Sequence, residues 1–127
     1  MKRVLVLSKE EGLVEETEQM LAKRHHIEIK NYPDSLSVIE NLLTLQCEMI
    51  ILDIDLLKEQ TARILHILRL INKQIPIVLI LSQEHMPICL AVFSGGAISY
   101  LTKPIASKNF CDLIASTLKA NHLKKHK

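Results

Sequence analysis

The sequence contains few aromatic residues: two tyrosines, two phenylalanines and no tryptophan among 127 residues. Domains that bind single-stranded nucleic acid stack bases on such side chains and attract the phosphate backbone with a strongly basic surface. The formal net charge of this chain is only +2 at pH 7. With so few rings and so little positive charge, we predict no nucleic-acid binding by this domain.

Long hydrophobic runs are also missing from the sequence. No apolar segment approaches the roughly 20 residues that a helix needs to cross a bilayer. The N-terminal stretch MKRVLVLSKEE has too short an apolar part and too many charges for a signal peptide. We therefore predict no membrane partner and expect a cytoplasmic protein.

Cysteine is scarce and scattered. Cys47, Cys89 and Cys111 are odd in number and lack the C-x-x-C spacing that zinc and redox sites use. This pattern fits reduced, mostly buried thiols better than a disulfide framework.

No internal repeat, low-complexity segment or glycine–serine linker divides the chain. Its length and its hydrophobic content of 48% predict a single domain over residues 1–127, with a basic tail at about 120–127. His122 and His126 in this tail have a spacing that metals use, but no third ligand accompanies them. A solvated helix end is the simpler interpretation. No output domain follows, so we expect the domain to act through a binding partner or within a larger system.

The sequence does contain a regular alternation of short apolar runs and helical patterns. The runs at 49–54 and 75–81 are almost continuously apolar, which is typical of parallel strands covered on both faces. Strands are predicted at residues 3–7, 27–31, 49–54, 75–81 and 98–101. The alternation predicts a doubly wound α/β fold with five helices. Its five-stranded parallel sheet is expected to have the flavodoxin-like order 2-1-3-4-5.

The starts of the first two helices are predicted from capping residues. Residues 8–11 (SKEE) have the spacing of a capping box for the first helix. The second helix begins with a capping box of Ser37 and Glu40, or slightly earlier at Asp34 or Ser35.

The later helices are predicted from their polar faces and turn residues. In the third helix, four polar side chains oppose an apolar remainder and are expected to face solvent: Arg63, His66, Arg69 and Lys73. Pro87 suits the first turn of a short fourth helix that stops at Gly95–Gly96. The last helix is predicted to begin near Ser107.

Polar residues follow four of the predicted strands. In such sheets, ligands bind outside the carboxyl ends of the strands. Residues 8–10 follow the first strand, Asp53 ends the third, Ser82 follows the fourth and Lys103 follows the fifth. The fold therefore predicts that a carboxylate, a hydroxyl and an ammonium group converge on one rim of the sheet.

The segments MIILDIDLL, PIVLILS and GGAISYLTKPI, in this order, resemble the receiver domain of chemotaxis-type two-component response regulators. The resemblance covers essentially the whole chain. Its most specific part is residues 100–104 (YLTKP) in combination with an aspartate that ends the third strand. It implies that Asp53 accepts a phosphoryl group from a sensor histidine kinase or a phosphotransfer protein. It also implies that Lys103 pairs with this carboxylate and then with the phosphoryl oxygens.

Two further roles follow from the resemblance. A hydroxyl after the fourth strand binds the phosphoryl group. The family spacing falls on Ser82 when counted from Asp53 and on Leu81 when counted from Lys103. We assign Ser82, because a hydroxyl is needed and a one-residue deletion in the next loop reconciles the two counts. Tyr100 matches the aromatic residue that swings inward on activation in this family. The resemblance also implies that the face formed by helix 4, strand 5 and helix 5 binds a downstream protein. A homodimer is a further possible assembly.

The resemblance also implies a Mg²⁺ site, and here the sequence departs from the family. Receivers hold the metal with an acidic pair after the first strand, the acceptor aspartate and a backbone carbonyl two residues further on. Ser8 and Lys9 stand where the pair belongs, and Glu10 follows at a position that usually points away from the metal. Asp53 and the backbone of Asp55 alone would make a weak site, or none, for a cation that prefers several oxygen ligands.

Two residues near this site have open assignments. The Lys9 ammonium either takes the place of the metal and pairs with Asp53, or points to solvent. Asp55 is expected to be a loop residue that contributes its backbone. Leu57 and Thr61 replace the proline and glycine that the family commonly has there, so the shape of this loop is not predicted.

Three functions are weighed. The first is a phosphorelay receiver with Asp53 as acceptor, which would not be an enzyme. The second is a pseudo-receiver that binds its partner without phosphorylation, which the Ser8 and Lys9 replacements favour. A remote third is a haloacid-dehalogenase-type phosphatase, because Asp53-Ile54-Asp55 resembles the D-x-D motif of that family. Against it, the aspartate lies on the third strand and no acidic pair follows Lys103.

Overall fold

The computed structural model describes residues 2–125, with side chains for residues 2–120. His122 and His126 of the predicted basic tail therefore lie outside the described side chains. In the described part of the chain, no helix has both the length and the hydrophobicity that a membrane crossing requires.

A sheet of parallel strands forms the centre of the fold. The strands are β1 (Lys2–Leu7), β2 (Ile27–Asn31), β3 (Met49–Asp53), β4 (Ile77–Leu81) and β5 (Ser99–Thr102). They are ordered β2-β1-β3-β4-β5, and every neighbouring pair is parallel. All residues of β3 and β4 are buried, because both faces of these central strands are covered. The predicted sheet, its order and its flavodoxin-like class are confirmed.

Five helices of seven or more residues connect and follow the strands. They are α1 (Glu11–His25), α2 (Ser35–Thr44), α3 (Thr61–Ile71), α4 (Met86–Val92) and α5 (Ser107–Lys125). A single helical turn, Ile54–Leu57, follows β3 directly, and short 3₁₀ segments occupy Lys58–Gln60, Gln83–His85 and Phe93–Gly95. Helix α5 begins at the predicted residue, and Pro87 lies in the first turn of α4 as predicted.

Two apolar layers cover the sheet, because successive strand residues point to opposite faces. On one face, Leu52 and Leu79 pack in a cluster that includes Val38 of α2 and Leu68 of α3. On the other face, a second cluster joins the strands to α1 and α5 through Val6, Ile51, Leu21, Phe110 and Ile114. The layers leave the carboxyl ends of the strands as the rim on which polar side chains collect.

The helix starts differ in part from the predictions. The capping box predicted for residues 8–11 is wrong: α1 has Glu10 at its N-cap with no side-chain hydrogen bond. The Ser8 hydroxyl instead accepts the Glu10 N–H at 2.9 Å and donates to Asp53. Helix α2 begins at the earlier alternative, because the Asp34 carboxylate accepts the Ser37 N–H at 2.8 Å.

Arg69 was expected to face solvent with the rest of its polar line, and that prediction is wrong. Its guanidinium donates to the carbonyls of Asn72 at 3.2 Å, Ile75 at 2.6 Å and Gly96 at 3.1 Å. The guanidinium thus supplies donors to backbone carbonyls beyond the end of α3 and at Gly96. Burial lowers the pKa of Arg69. The remaining members of the line are exposed as predicted: Arg63, His66 and Lys73.

The cysteines are free thiols, as predicted. Cys89 and Cys111 are buried and Cys47 is half-buried. Burial raises the pKa of Cys47 to about 11, with a further contribution from Glu48, and burial also raises the pKa of the other two thiols. Because the thiolate is the reactive form, these three side chains are suited to packing rather than to nucleophilic or redox chemistry.

Gly96 is predicted to be intolerant of a side chain. Its φ is +127°, and an added Cβ would collide with the Arg69 side chain. We expect Gly96→Ala to lower the free energy of unfolding by about 1–3 kcal/mol, because a strained φ is combined with displacement of a partly buried guanidinium and its hydrogen bonds. Urea unfolding measures this change. Gly12→Ala is the control, since Gly12 lies in α1 with open space around it, and a loss as large in that variant would contradict the explanation.

Candidate functional site

The candidate site lies at the carboxyl ends of β1, β3, β4 and β5. Asp53 is the last residue of β3 and is fully buried, with 0% of its surface exposed. Its carboxylate caps the helical turn that follows, since it accepts the Asp55 N–H at 3.0 Å. The buried strand thus delivers a carboxylate to the rim in a fixed position.

The Asp53 carboxylate is surrounded by hydrogen-bond donors. The Lys103 ammonium reaches its two oxygens at 2.8 and 3.0 Å. The Ser8 hydroxyl donates at 2.9 Å, and the Lys9 N–H donates at 3.3 Å. A buried carboxylate is costly unless it is paired and hydrogen-bonded. These contacts supply both, so the predicted convergence of Asp53, Lys103 and a hydroxyl is observed, although that hydroxyl belongs to Ser8.

Lys103 is the cation of the site. Its side chain is only 9% exposed, and its nitrogen lies 2.9 Å from Asp55 as well as 2.8 Å from Asp53. Glu10 lies at 3.9 Å. Burial lowers the pKa of Lys103, but its bonds to the two aspartates outweigh burial and raise the pKa above its ordinary value. The side chain therefore stays charged and bridges two carboxylates.

Asp55 differs most from its prediction. It is buried, and its carboxylate binds the Ser82 N–H at 2.9 Å, the Ser82 hydroxyl at 2.5 Å and His85 Nδ1 at 2.5 Å, besides Lys103. Burial raises the pKa of Asp55, but these hydrogen bonds outweigh it and hold the pKa well below its usual range. Asp55 was expected to be a loop residue that contributes its backbone; it lies instead in the helical turn after β3, and its side chain is buried among donors.

Ser82 and His85 come from the segment after β4. Leu81 is the last residue of β4 and is buried in the core, whereas Ser82 follows the strand at the rim. Its hydroxyl is bonded to Asp55 rather than to Asp53. His85 was missed in the sequence. The His85 Nδ1 carries the hydrogen of this contact, because an ionised carboxylate only accepts. The feature of the sequence that could have indicated His85 is the Ser-x-x-His spacing directly after an apolar strand.

The positions after β1 are arranged for hydrogen bonding. Ser8 is buried, and its backbone exchanges hydrogen bonds with the Asn31 side chain at 3.0 and 2.9 Å. The Lys9 side chain is exposed and only its N–H contacts Asp53, so of the two alternatives for Lys9 the solvent-facing one is observed. The Glu10 carboxylate lies 3.9 Å from the Lys103 ammonium.

The residues present do not fit a Mg²⁺ ion. Magnesium requires several oxygen ligands in near-octahedral geometry. Within the described residues, no group of three or more histidine, cysteine, aspartate or glutamate side chains is arranged to hold a metal. The Lys103 ammonium bridges Asp53 and Asp55, and the Ser8 hydroxyl already donates to Asp53. The donor set is that of a buried ion network.

Tyr100 lies away from this network, on β5. It is 39% exposed, and its ring meets the Phe93 ring edge to face at a centroid distance of 5.8 Å. Leu90 and Ile98 are also exposed, at 65% and 53%. Large apolar side chains are therefore exposed on or beside α4 and β5.

Comparison with known proteins identifies a family and a fold. The family model of the response regulator receiver domain matches residues 4–115. This match favours the receiver interpretation over the haloacid-dehalogenase-type phosphatase. The comparison with curated proteins gave no match.

Three solved structures illustrate the likeness in fold. A streptococcal protein, described as one of a family of redox sensors evolved from two-component response regulators, is 20% identical, with a TM-score of 0.85 over 100% of this chain and 56% of its own. The inactive regulatory domain of the repressor of iron transport regulator is 21% identical, with a TM-score of 0.82 over 94% and 97%. A CheY-like receiver domain from Methanospirillum hungatei is 16% identical, with a TM-score of 0.78 over 98% of both chains. This chain thus spans only 56% of the length of the streptococcal protein.

Replacement of the central lysine should destabilise the fold. In Lys103→Met, two buried carboxylates lose their shared cation. We expect the free energy of unfolding to fall by about 3–5 kcal/mol, as for other broken buried ion pairs. Urea unfolding at neutral pH measures the loss. Lys108→Met, at an exposed position of α5, is the control. Equal stability of the two variants would show that the ion network does not support the fold.

The lowered pKa of Asp55 predicts how stability depends on pH. A carboxylate with a lowered folded-state pKa stabilises the fold above its unfolded pKa of about 3.9, and this contribution is lost as the pH falls through the folded-state pKa. Between about pH 5 and pH 2, the stability of the wild type should therefore fall more steeply than that of Asp55→Asn. Urea unfolding at a series of pH values tests this. Glu59→Gln, at an exposed nearby acid, should follow the wild type; parallel curves for all three proteins would refute the assignment.

Proposed function

We propose that this chain, which belongs to the response regulator receiver domain family, relays a signal with Asp53 as its phosphoryl acceptor. The match to the family model confirms the family predicted from the sequence, and the sheet order confirms the fold. The domain functions in two-component signalling. The observation that carries the finer proposal is the contact between Asp53 and the Lys103 ammonium, at 2.8 Å, at the carboxyl end of a fully buried strand.

The chemistry of the acceptor follows from charge. A carboxylate is a weak nucleophile toward an anionic phosphoryl group unless nearby cations reduce the repulsion. Lys103 supplies such a charge. In the transfer from a small acyl phosphate, an Asp53 oxygen forms a bond to phosphorus, the bond from phosphorus to the donor oxygen breaks, and the carboxylate of the donor leaves with the electron pair. Receiver domains typically use Mg²⁺ as well, but the residues here do not fit that ion, and no step of this proposal uses it.

A second candidate function is a pseudo-receiver that binds its partner without phosphorylation. One specific feature favours it: Ser8 and Lys9 stand in place of the acidic pair, and the Ser8 hydroxyl is committed to Asp53. The Asp53 oxygens are buried and already bonded. Attack on a phosphoryl group would require some of these bonds to open.

The proposed partners are proteins. Receiver domains in general interact with histidine kinases or phosphotransfer proteins and with downstream partners. For this chain we propose an upstream kinase or phosphotransfer protein that reaches Asp53, and a downstream partner on the face of α4, β5 and α5. The exposed Leu90, Ile98 and Tyr100, which lie on or beside α4 and β5, support that face, because apolar side chains exposed to water gain free energy from burial against a partner. We further propose that the chain forms one domain, that it is not an enzyme, and that it acts in the cytoplasm, where free thiols stay reduced.

Phosphoryl uptake at Asp53 is the direct test. The wild type should gain the mass of one phosphoryl group when incubated with acetyl phosphate, and Asp53→Asn should gain none, because an amide does not attack phosphorus. Intact mass spectrometry, with and without Mg²⁺, measures the gain. Asp34→Asn, which alters only the N-cap of α2, should behave as the wild type.

Two results would count against the acceptor role. Equal uptake by wild type and Asp53→Asn would place the modification elsewhere. A folded wild type that gains no mass in either condition, while still binding a protein partner, would favour the pseudo-receiver.

A further inference from the structure

Asp55 binds the same two side chains that the resemblance assigns to a phosphoryl group. Its carboxylate accepts the Ser82 hydroxyl at 2.5 Å and the Lys103 ammonium at 2.9 Å. The Ser82 N–H and His85 Nδ1 complete the set of donors, at 2.9 and 2.5 Å. The cluster of Ser82, His85 and Lys103 is therefore an anion subsite, and a side chain of the same chain fills it.

The donors of Lys103 are fully used. An ammonium has three N–H groups. The nitrogen lies within hydrogen-bond distance of three oxygens: two of Asp53, at 2.8 and 3.0 Å, and one of Asp55, at 2.9 Å. Another anion can bind Lys103 only if one of these contacts is released.

The donors of Ser82 are also used. A serine hydroxyl has one hydrogen to donate, and this one goes to Asp55. The Ser82 N–H is shared between both Asp55 oxygens, at 2.9 and 3.1 Å. With Asp55 in this position, Ser82 has no donor left for a phosphoryl oxygen.

Charge makes simultaneous occupation unfavourable as well. A phosphorylated side chain carries about −1.5 to −2 charges at neutral pH. It would lie beside the Asp55 carboxylate, within reach of the same ammonium, in a region that is largely shielded from water. Like charges at such short distances repel strongly, so only one of the two anions can hold the subsite.

We propose that the Asp55 carboxylate is an internal ligand of the Ser82–His85–Lys103 subsite, which a phosphoryl group on Asp53 has to displace. This inference rests on the proposed acceptor role of Asp53. Asp55 thereby becomes a residue that sets how readily the domain is modified. A purely structural acid at the same position would change stability, but it would leave the anion affinity of the Ser82 donors unaltered.

Removal of Asp55 should open the subsite. In the full chain, we expect Asp55→Ala to take up a phosphoryl group from acetyl phosphate about tenfold faster than the wild type or more, because a short-range repulsion is removed and the four donors that Asp55 occupies become free. Asp55→Asn keeps the shape and loses the charge, so its rate should lie between them. Glu59→Gln, an exposed acid shortly after the same helical turn, should match the wild type.

A second measurement does not depend on phosphorylation. In ¹⁵N–¹H spectra, the Ser82 amide signal of the wild type should stay unchanged during titration with inorganic phosphate, since Asp55 holds this N–H. In Asp55→Ala and Asp55→Asn it should shift with increasing phosphate. If the alanine variant does not fold, the asparagine variant decides both measurements.

The outcomes separate the two proposals. A Ser82 shift in the Asp55 variants, with no mass gain in any protein, supports the internal ligand and refutes the acceptor role of Asp53. Equal uptake rates in wild type and Asp55 variants, with a Ser82 amide that responds in none of them, refute the internal ligand and leave the acceptor role standing. A wild-type Ser82 amide that itself shifts with phosphate also refutes the internal ligand.

Discussion

The ion network around the Lys103 ammonium is the interaction on which the site depends. Asp53 and Asp55 come from the end of the central strand β3 and the turn after it, and their burial is tolerable because one nitrogen lies within 3 Å of both. Lys103 directly follows β5, so the same contact ties the edge of the sheet to its centre across β4. Fold stability and site electrostatics thus rest on one side chain.

The site differs from a metal-dependent receiver in the source of its positive charge. Typical receivers hold a divalent cation with acidic side chains. Here a serine hydroxyl and a lysine ammonium compensate Asp53, and Asp55 takes up the remaining donors of the rim. Such a network needs no ion from solution and is complete as soon as the chain is folded. The same completeness means that new ligands must compete with contacts already made.

The fold was largely predictable, because its signals are local. Continuous apolar runs indicated the buried strands β3 and β4, and strand order followed from the alternation of elements, which also located Asp53 and Lys103 on one rim. The errors concern side chains whose partners lie far away in the sequence. Asp55 and His85 are paired across 30 residues, and Arg69 and Gly96 across 27. Ser8 has the spacing of a helix cap, but it serves a carboxylate 45 residues away. Neither periodicity nor turn residues report such contacts.

The position of Lys103 next to β5 has a consequence for communication between sites. Tyr100 and Lys103 are three residues apart, one on the exposed side of the edge strand and one inside the ion network. Anything that shifts the end of β5 changes how well the ammonium reaches its two carboxylates, and the reverse also holds. Thermodynamic linkage makes this dependence reciprocal. If a protein that binds the edge strand changes the anion affinity of the rim, then an anion bound at the rim changes the affinity for that protein by the same free energy.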